Sequence, residues 1–150
     1  MSTHAFTISS DKRLDCIIMP IDIRQSQSLC QKYNVKGGII HGKALWDTGA
    51  QGSCISNRIA QTLNLTGIAQ CEVDGINGTH RSDVYLVDFI LPDNLDVIDV
   101  NAVAFFNTEE YDAIIGMDII TLGDFSISNL DEQTTASFRF PPQAPIDFTK

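Results

Sequence analysis

Apolar and polar positions alternate along this chain in short runs, and a period of two is the mark of a strand with one face buried. Residues 14–23 are apolar and β-branched, bounded by a charged turn and a polar stretch, and predict a strand. Residues 24–36 are polar and read as a loop inserted into the first hairpin, with residues 38–45 as the next strand. Ser56 stands where it can cap a short helix, and Ile59, Ala60 and Leu63 follow at helical spacing. Residues 68–74 and 79–91 read as two strands joined through Gly75-Ile76-Asn77-Gly78, because Asn and Gly tolerate the positive φ of a tight hairpin turn. Both faces of 84–91 are mostly apolar, so cover is expected on each side. A turn at 92–96, a strand over 97–106 and a short apolar run at 113–115 come next, the last ending at Gly116. A brief helix and strands near 125–128 and 136–140 complete the pattern, and Pro141, Pro142 and Pro145 make the tail extended. Short strands with turns between them predict an all-β, closed or nearly closed barrel-like structure with one or two short helices. No repeat, low-complexity block or step in composition divides the chain, so residues 1–150 are read as a single domain.

Composition narrows the function classes. The chain is 43% hydrophobic and 19% charged, enough for a real core. Its net charge of −9 repels phosphate backbones and argues against a nucleic-acid partner. No apolar run approaches the roughly 20 residues of a membrane helix, and Asp11, Lys12, Arg13 and Asp15 interrupt any leader-like core. The expectation is a soluble, cytoplasmic protein with no membrane partner. Cysteines stand at 16, 30, 54 and 71 without a C-x-x-C, and no two histidines have metal-ligand spacing, so no metal site is expected. Reduced thiols and two disulfides both remain open.

The chemistry concentrates in Ala44-Leu45-Trp46-Asp47-Thr48-Gly49-Ala50-Gln51-Gly52-Ser53-Cys54-Ile55, where an apolar strand delivers one carboxylate into a Thr-Gly-Ala turn. Alone, an Asp that closes its own turn accounts for Asp-Thr-Gly equally well. The wider segment resembles the active-site loop of retropepsin-like (retroviral-type) aspartic proteases of the cellular or bacterial kind: an apolar pair, Asp-Thr/Ser-Gly-Ala, two variable residues, then Ser or Thr. Ala50 and Ser53 fit that pattern. A second match is Ala113-Ile114-Ile115-Gly116-Met117-Asp118-Ile119-Ile120, where the family has an apolar strand beneath the loop and then a short helix. A third is Gly75-Ile76-Asn77-Gly78, in the place of the family's flap.

The resemblance implies an acid-protease barrel, an aspartic endopeptidase acting on extended protein segments, and no cofactor. Asp47 takes the catalytic role by this likeness. Thr48 supports it by bonding the opposite loop, Gly49 lies against the substrate backbone, and Ala50 is small for the same reason. Gly75, Ile76, Asn77 and Gly78 would close over a bound peptide. The reaction needs two carboxylates sharing one proton, since like charges about 3 Å apart cannot both ionise. The chain holds one Asp-Thr-Gly and no Asp-Ser-Gly, so the resemblance implies a C2 homodimer with two Asp47 residues facing across the axis. A non-catalytic peptide-binding or scaffolding dimer of the same fold is the alternative.

Several positions depart from the retroviral pattern. Gln51 and Met117 stand where an Asp–Arg pair usually braces the dimer. Both charges are absent together, and losing one alone would strand the other. The segment 131–150, a strand and an extended tail, is a candidate for bracing the dimer instead. Residues 1–36 form an extension and a hairpin with an insertion, and 24–36 is positioned to restrict access to the cleft. Trp46 either walls a subsite or packs in the core, with the core favoured. Cys54 reads as a buried inert thiol, His80 as an exposed residue at the flap base, and Asp93, Asp96 and Asp99 as a solvated acidic edge. A Ser53–His41–Asp47 triad can be drawn on paper, but no Gly-x-Ser-x-Gly elbow supports it.

Overall fold

The structure, a computed structural model, describes residues 2–75 and 78–150. Strand alternation builds its core. In β2 (Ile17–Gln25), Ile17, Met19, Ile21 and Ile23 all point inward. β2 pairs antiparallel with β3 (Ile39–Trp46), from Ile17 opposite Trp46 to Arg24 opposite Ile39. The sheet continues through β8 (Ala113–Ile115), β4 (Cys54–Ser56), β7 (Leu95–Phe105) and β6 (Gly78–Leu91). It closes because β6 also pairs with β2, from Asp22 opposite Ile90 to Gln25 opposite Val87. Closure leaves β5 (Ala69–Gly75) as the one outer strand of this sheet among the described residues, and the barrel interior fills with Met19, Ile23, Ile55, Val87, Phe89 and Ile115.

β5 stays outside the ring as the outer strand of a hairpin with β6. Its register runs from Ala69 opposite Val84 to Gly75 opposite Gly78, where Gly78 has φ +102°, a conformation that favours glycine. The Ile76 and Asn77 of the expected turn lie outside the described residues. The short helices α2 (Asn57–Thr62) and α3 (Met117–Ile120) follow β4 and β8. Ser56 caps α2 by accepting from the Ile59 N–H, and Ile59, Ala60 and Leu63 are buried, as the spacing predicts.

A second, antiparallel sheet has the order β1 (His4–Ser9), β10 (Thr135–Phe140), β9 (Asp124–Ser128). The sequence reading contained no strand at 4–9. The signal is short, with only Phe6 and Ile8 marking the inward face, and the partner strand lies far along the chain. Phe6, Phe125 and Phe138 pack around Trp46, with ring centroids 5.9, 5.3 and 5.1 Å from it. Trp46 is 5% exposed, so it belongs to the core that joins the terminal sheet to the barrel.

Two expectations need correction. The polar stretch 24–36 is not wholly loop: β2 runs on to Gln25, and α1 (Gln27–Lys32) follows, capped by Ser26, whose Oγ accepts from the Leu29 N–H. No α1 residue is buried, so apolar periodicity could not reveal the helix. The acidic edge is tied into the fold as well as solvated. Ser26 and Ser28 hydroxyls donate to Asp99 (2.6 and 3.1 Å), and Asp93 accepts from the Ala5 N–H at 3.1 Å. Beneath Asp99, the buried Asp88 accepts from Arg24 Nε (3.0 Å), Gln27 N–H (3.1 Å) and Asp99 N–H (2.9 Å). It sits where the β6–β7 register shifts, between Val87 and Phe89.

Candidate active site

The strand pairing explains how the Asp-Thr-Gly-Ala segment becomes a held loop. β8 lies between β3, its parallel partner, and β4, its antiparallel partner. The chain therefore leaves β3 at Trp46, passes over the end of β8 and returns on the other side at Cys54. Residues 47–53 make that crossing. Asp47 N–H donates to the Ile115 carbonyl at 2.9 Å, which fixes the backbone where the carboxylate begins. Asp47 Oδ1 accepts from the Gly49 N–H at 2.8 Å, and the Asp47 carbonyl accepts from the Ala50 N–H at 3.2 Å. One carboxylate oxygen is thus held by the turn. The side chain is half-buried, while Thr48 and Gly49 are exposed and Ala50 is half-buried.

The far side of the loop is clamped by α3. Met117 and Asp118 N–H groups donate to the Ala50 and Gln51 carbonyls at 2.8 and 3.1 Å. Ser53 is fully buried; its Oγ donates to Asp118 Oδ1 (2.7 Å) and accepts from the Gly116 N–H (3.0 Å). Ser53 N–H donates to Asp118 Oδ2 at 3.0 Å. A Cβ on Gly116 would meet the Gly52 carbonyl carbon and oxygen at 2.7 Å and the Ala50 oxygen at 2.9 Å. Gly116 is needed here for close approach, since its φ of −95° suits any residue. The positions of the missing Asp–Arg pair, Gln51 and Met117, still join the clamp through their backbone.

Sequence reasoning included Ser53 in the motif but did not identify its bond to Asp118. The signal available was a polar residue directly after Gly116-Met117, in the first turn of the expected helix. It also missed Asp112. That carboxylate accepts from the Lys43 N–H (2.9 Å) and pairs with Arg58, and its backbone bonds Lys43 and Ser56. Asp112 thereby pins β3 and β4 at the entry to β8.

The structure separates the residues of the paper triad. His41 is exposed on β3 and bonds Asp22 at 2.5 Å, whereas Ser53 is committed to Asp118. His80 is exposed, as expected, but it pairs with Val73 near the turn end of the hairpin rather than at its base. Cys54 is half-buried beside the loop, and burial pushes its thiol up to about 11, with Asp118, Cys71 and Asp47 adding repulsion. Cys71 lies on β5, so the hairpin strand is within electrostatic reach of the loop floor. Gly75 and Gly78 pair at the end of that hairpin. All four cysteines are free thiols. Among the described residues no cluster of His, Cys, Asp and Glu could hold a metal, and no helix is long and apolar enough to cross a membrane.

A family model described as aspartyl protease matches residues 32–119, more than half of the chain and all of the loop and its clamp. Among solved structures, a retropepsin-like aspartic protease from Rickettsia conorii aligns over 93% of this chain and 96% of its own, at 10% identity and a TM-score of 0.51. That likeness shows a retropepsin-like fold. The retroviral protease-like domain of Ddi1 from Leishmania major aligns over 76% of this chain and 82% of its own, at 14% identity and a TM-score of 0.46. A simian foamy virus protease aligns over 69% and 92%, at 17% identity and a TM-score of 0.43. No curated protein matches the sequence. With the family model lying across the clamped loop, the chain belongs to the aspartyl protease family.

Proposed function

We propose that this protein is an aspartic endopeptidase whose active form is a homodimer. One observation carries the reading: Asp47 is presented on a loop clamped from both sides, and the chain contains a single such loop. Two copies facing across a two-fold axis supply the second carboxylate. The pair then holds one proton, and its two apparent pKa values belong to the pair. The ionised Asp47 removes a proton from a bridging water as the water oxygen attacks the peptide carbonyl carbon. The neutral Asp47 gives its proton to the carbonyl oxygen. When the resulting diol collapses, one Asp47 gives its proton to the nitrogen, the other takes a proton from a diol hydroxyl, the C–N bond breaks, and the dyad again holds one proton.

The neighbours have roles in keeping with their places. Thr48 is exposed beside Asp47, where its hydroxyl can bond the opposite loop. Gly49 and Ala50 leave room for a substrate backbone. The β5–β6 hairpin, whose pairing ends at Gly75 and Gly78, closes over an extended peptide and excludes water. The chemistry requires neither metal nor cofactor, and the partners are a second copy and a protein or peptide substrate.

Proteome-derived peptides incubated with parent protein and with Asp47→Asn test the proposal. The parent yields new termini clustered on one cleavage pattern. Asp47→Asn loses at least about 10³-fold in rate while keeping its fold and dimer. Equal cleavage by both proteins would overturn the role of Asp47. Peptide capture without any cleavage by the parent would instead favour the non-catalytic binding dimer.

A further inference from the structure

Charge is distributed unevenly along this chain. Its net charge is −9, yet residues 23–71 contain a single acidic residue, Asp47, against five basic ones. Arg24 and Arg58 among these are paired with Asp88 and Asp112. Among the described residues, Lys32 and Lys36 have no carboxylate partner, and both lie where α1 leads into β3. Apolar side chains stand between and beside them. Tyr33 is 65% exposed, and Val35 and Ile39 are each 50% exposed. Lys32 Nζ lies 5.4 Å from the centre of the Tyr33 ring, so cation and ring form one surface. The helix that carries this segment has no buried residue and adds nothing to the core. Polar bonds hold it in place all the same. Ser26 caps it, Gln27 N–H donates to the buried Asp88, and the Ser26 and Ser28 hydroxyls donate to Asp99. At the other end of the segment, a Cβ on Gly38 would meet Leu63 at 3.4 Å, so the chain rests on the end of α2 there. The fold thus fixes an exposed segment that is both apolar and basic, and a surface fixed before binding loses little freedom on binding.

We infer that this segment, from the end of α1 to the start of β3, is a docking surface apart from the active-site loop, and that it takes acidic stretches of the protein substrate that also carry apolar residues. Charge selects this partner. The rest of the chain repels an acidic stretch, so the field steers it to Lys32 and Lys36. Tyr33, Val35 and Ile39 then cover its apolar side chains, with the aromatic ring as the anchor. Two lysines suit a few carboxylates on a peptide, whereas recognition of anionic membranes rests on clusters of about 4–8 cations. The position sets a length for the substrate. β3 has 8 residues and ends at Trp46, directly before Asp47. At about 3.3 Å per residue, Ile39 stands roughly 23 Å from the start of the loop. An extended substrate therefore needs about seven or more residues between the bond that is cut and the stretch that docks.

The substrate role rests on the aspartic-protease reading, and two measurements separate its failure from the failure of that reading. The first is fluorescence anisotropy with a labelled peptide of repeated Glu-Leu-Glu-Phe units, carried out on Asp47→Asn so that the probe stays whole. The peptide binds, and added salt weakens it. Adding Lys32→Glu and Lys36→Glu together weakens it by on the order of 10-fold or more, and Tyr33→Ser also weakens it, with circular dichroism unchanged in each. Binding that ignores the charge reversal overturns the docking surface. So does capture by phosphatidylserine vesicles that the charge reversal abolishes, which would make this face a membrane contact. The second measurement maps new termini after intact proteins meet the parent. Acidic stretches with apolar residues are enriched about seven or more residues from the cut, and the charge reversal removes that enrichment. Cleavage without the enrichment overturns the substrate role and leaves the protease reading standing. A parent that cleaves nothing, while Asp47→Asn still binds the peptide, overturns the protease reading and leaves the docking surface standing.

Discussion

At the scale of single residues, the contrast between Asp47 and Ser53 shows what a motif conveys. Asp47 stands out because its neighbours Thr48, Gly49 and Ala50 are local in sequence. The bond from Ser53 to Asp118 spans 65 residues and exists only once β8 is inserted between β3 and β4. Ser53→Ala removes one of the two donors to Asp118 Oδ1, leaving the Ile119 N–H, and deprives the Gly116 N–H of its acceptor in a buried site. It costs about 1–3 kcal/mol, read as a lower urea midpoint, and loss of activity exceeds what the unfolded fraction explains. An unchanged midpoint would mean the clamp contributes nothing. Gly116→Ala is expected to be worse for activity than for stability, because its methyl would push on the Gly52 and Ala50 carbonyls of the loop itself. A variant with parental kcat would contradict that.

Cys54 gives a pH dependence with a definite sign. Its thiol ionises near 9.0 in the unfolded chain and near about 11 in the fold, first because it is buried and then because Asp118, Cys71 and Asp47 repel a thiolate. Between those values the unfolded chain has released a proton that the folded chain retains, so folding stability falls as pH rises. The contribution is full below 9.0 and is lost through about 11. Denaturation of the parent and of Cys54→Ala across this window is expected to show a shallower alkaline decline in the variant. Parallel curves would rule out Cys54 as a source of the decline.

At the scale of elements, strands with one inward face were legible, because alternation of Ile17, Met19, Ile21 and Ile23 leaves little choice of orientation. What escaped depended on polar contacts or on a partner strand far along the chain. α1 has no buried residue and is held by the Ser26 cap and by Gln27 N–H on Asp88. β1 was missed because its short apolar pattern becomes a strand only when β10 arrives beside it. The buried Asp88 ties three elements together through Arg24, Gln27 and Asp99. Arg24→Ala leaves that carboxylate without its cation and is expected to cost about 3–5 kcal/mol in chemical denaturation. A loss under about 1 kcal/mol would place Arg24 among surface pairs that contribute little.

At the scale of the whole molecule, barrel closure came partly from strand count and partly from a contact that no local pattern contains, the second partnership of β2 with β6. The single Asp-Thr-Gly is plain in the sequence, and on the proposed reading it makes the chain half of a catalytic unit. The most direct test of that claim is calorimetric titration of the protein with a statine-type transition-state mimic. The account predicts tight binding that saturates at one inhibitor for every two chains and is lost in Asp47→Asn. Saturation at one inhibitor per chain, or undiminished binding by Asp47→Asn, would contradict it.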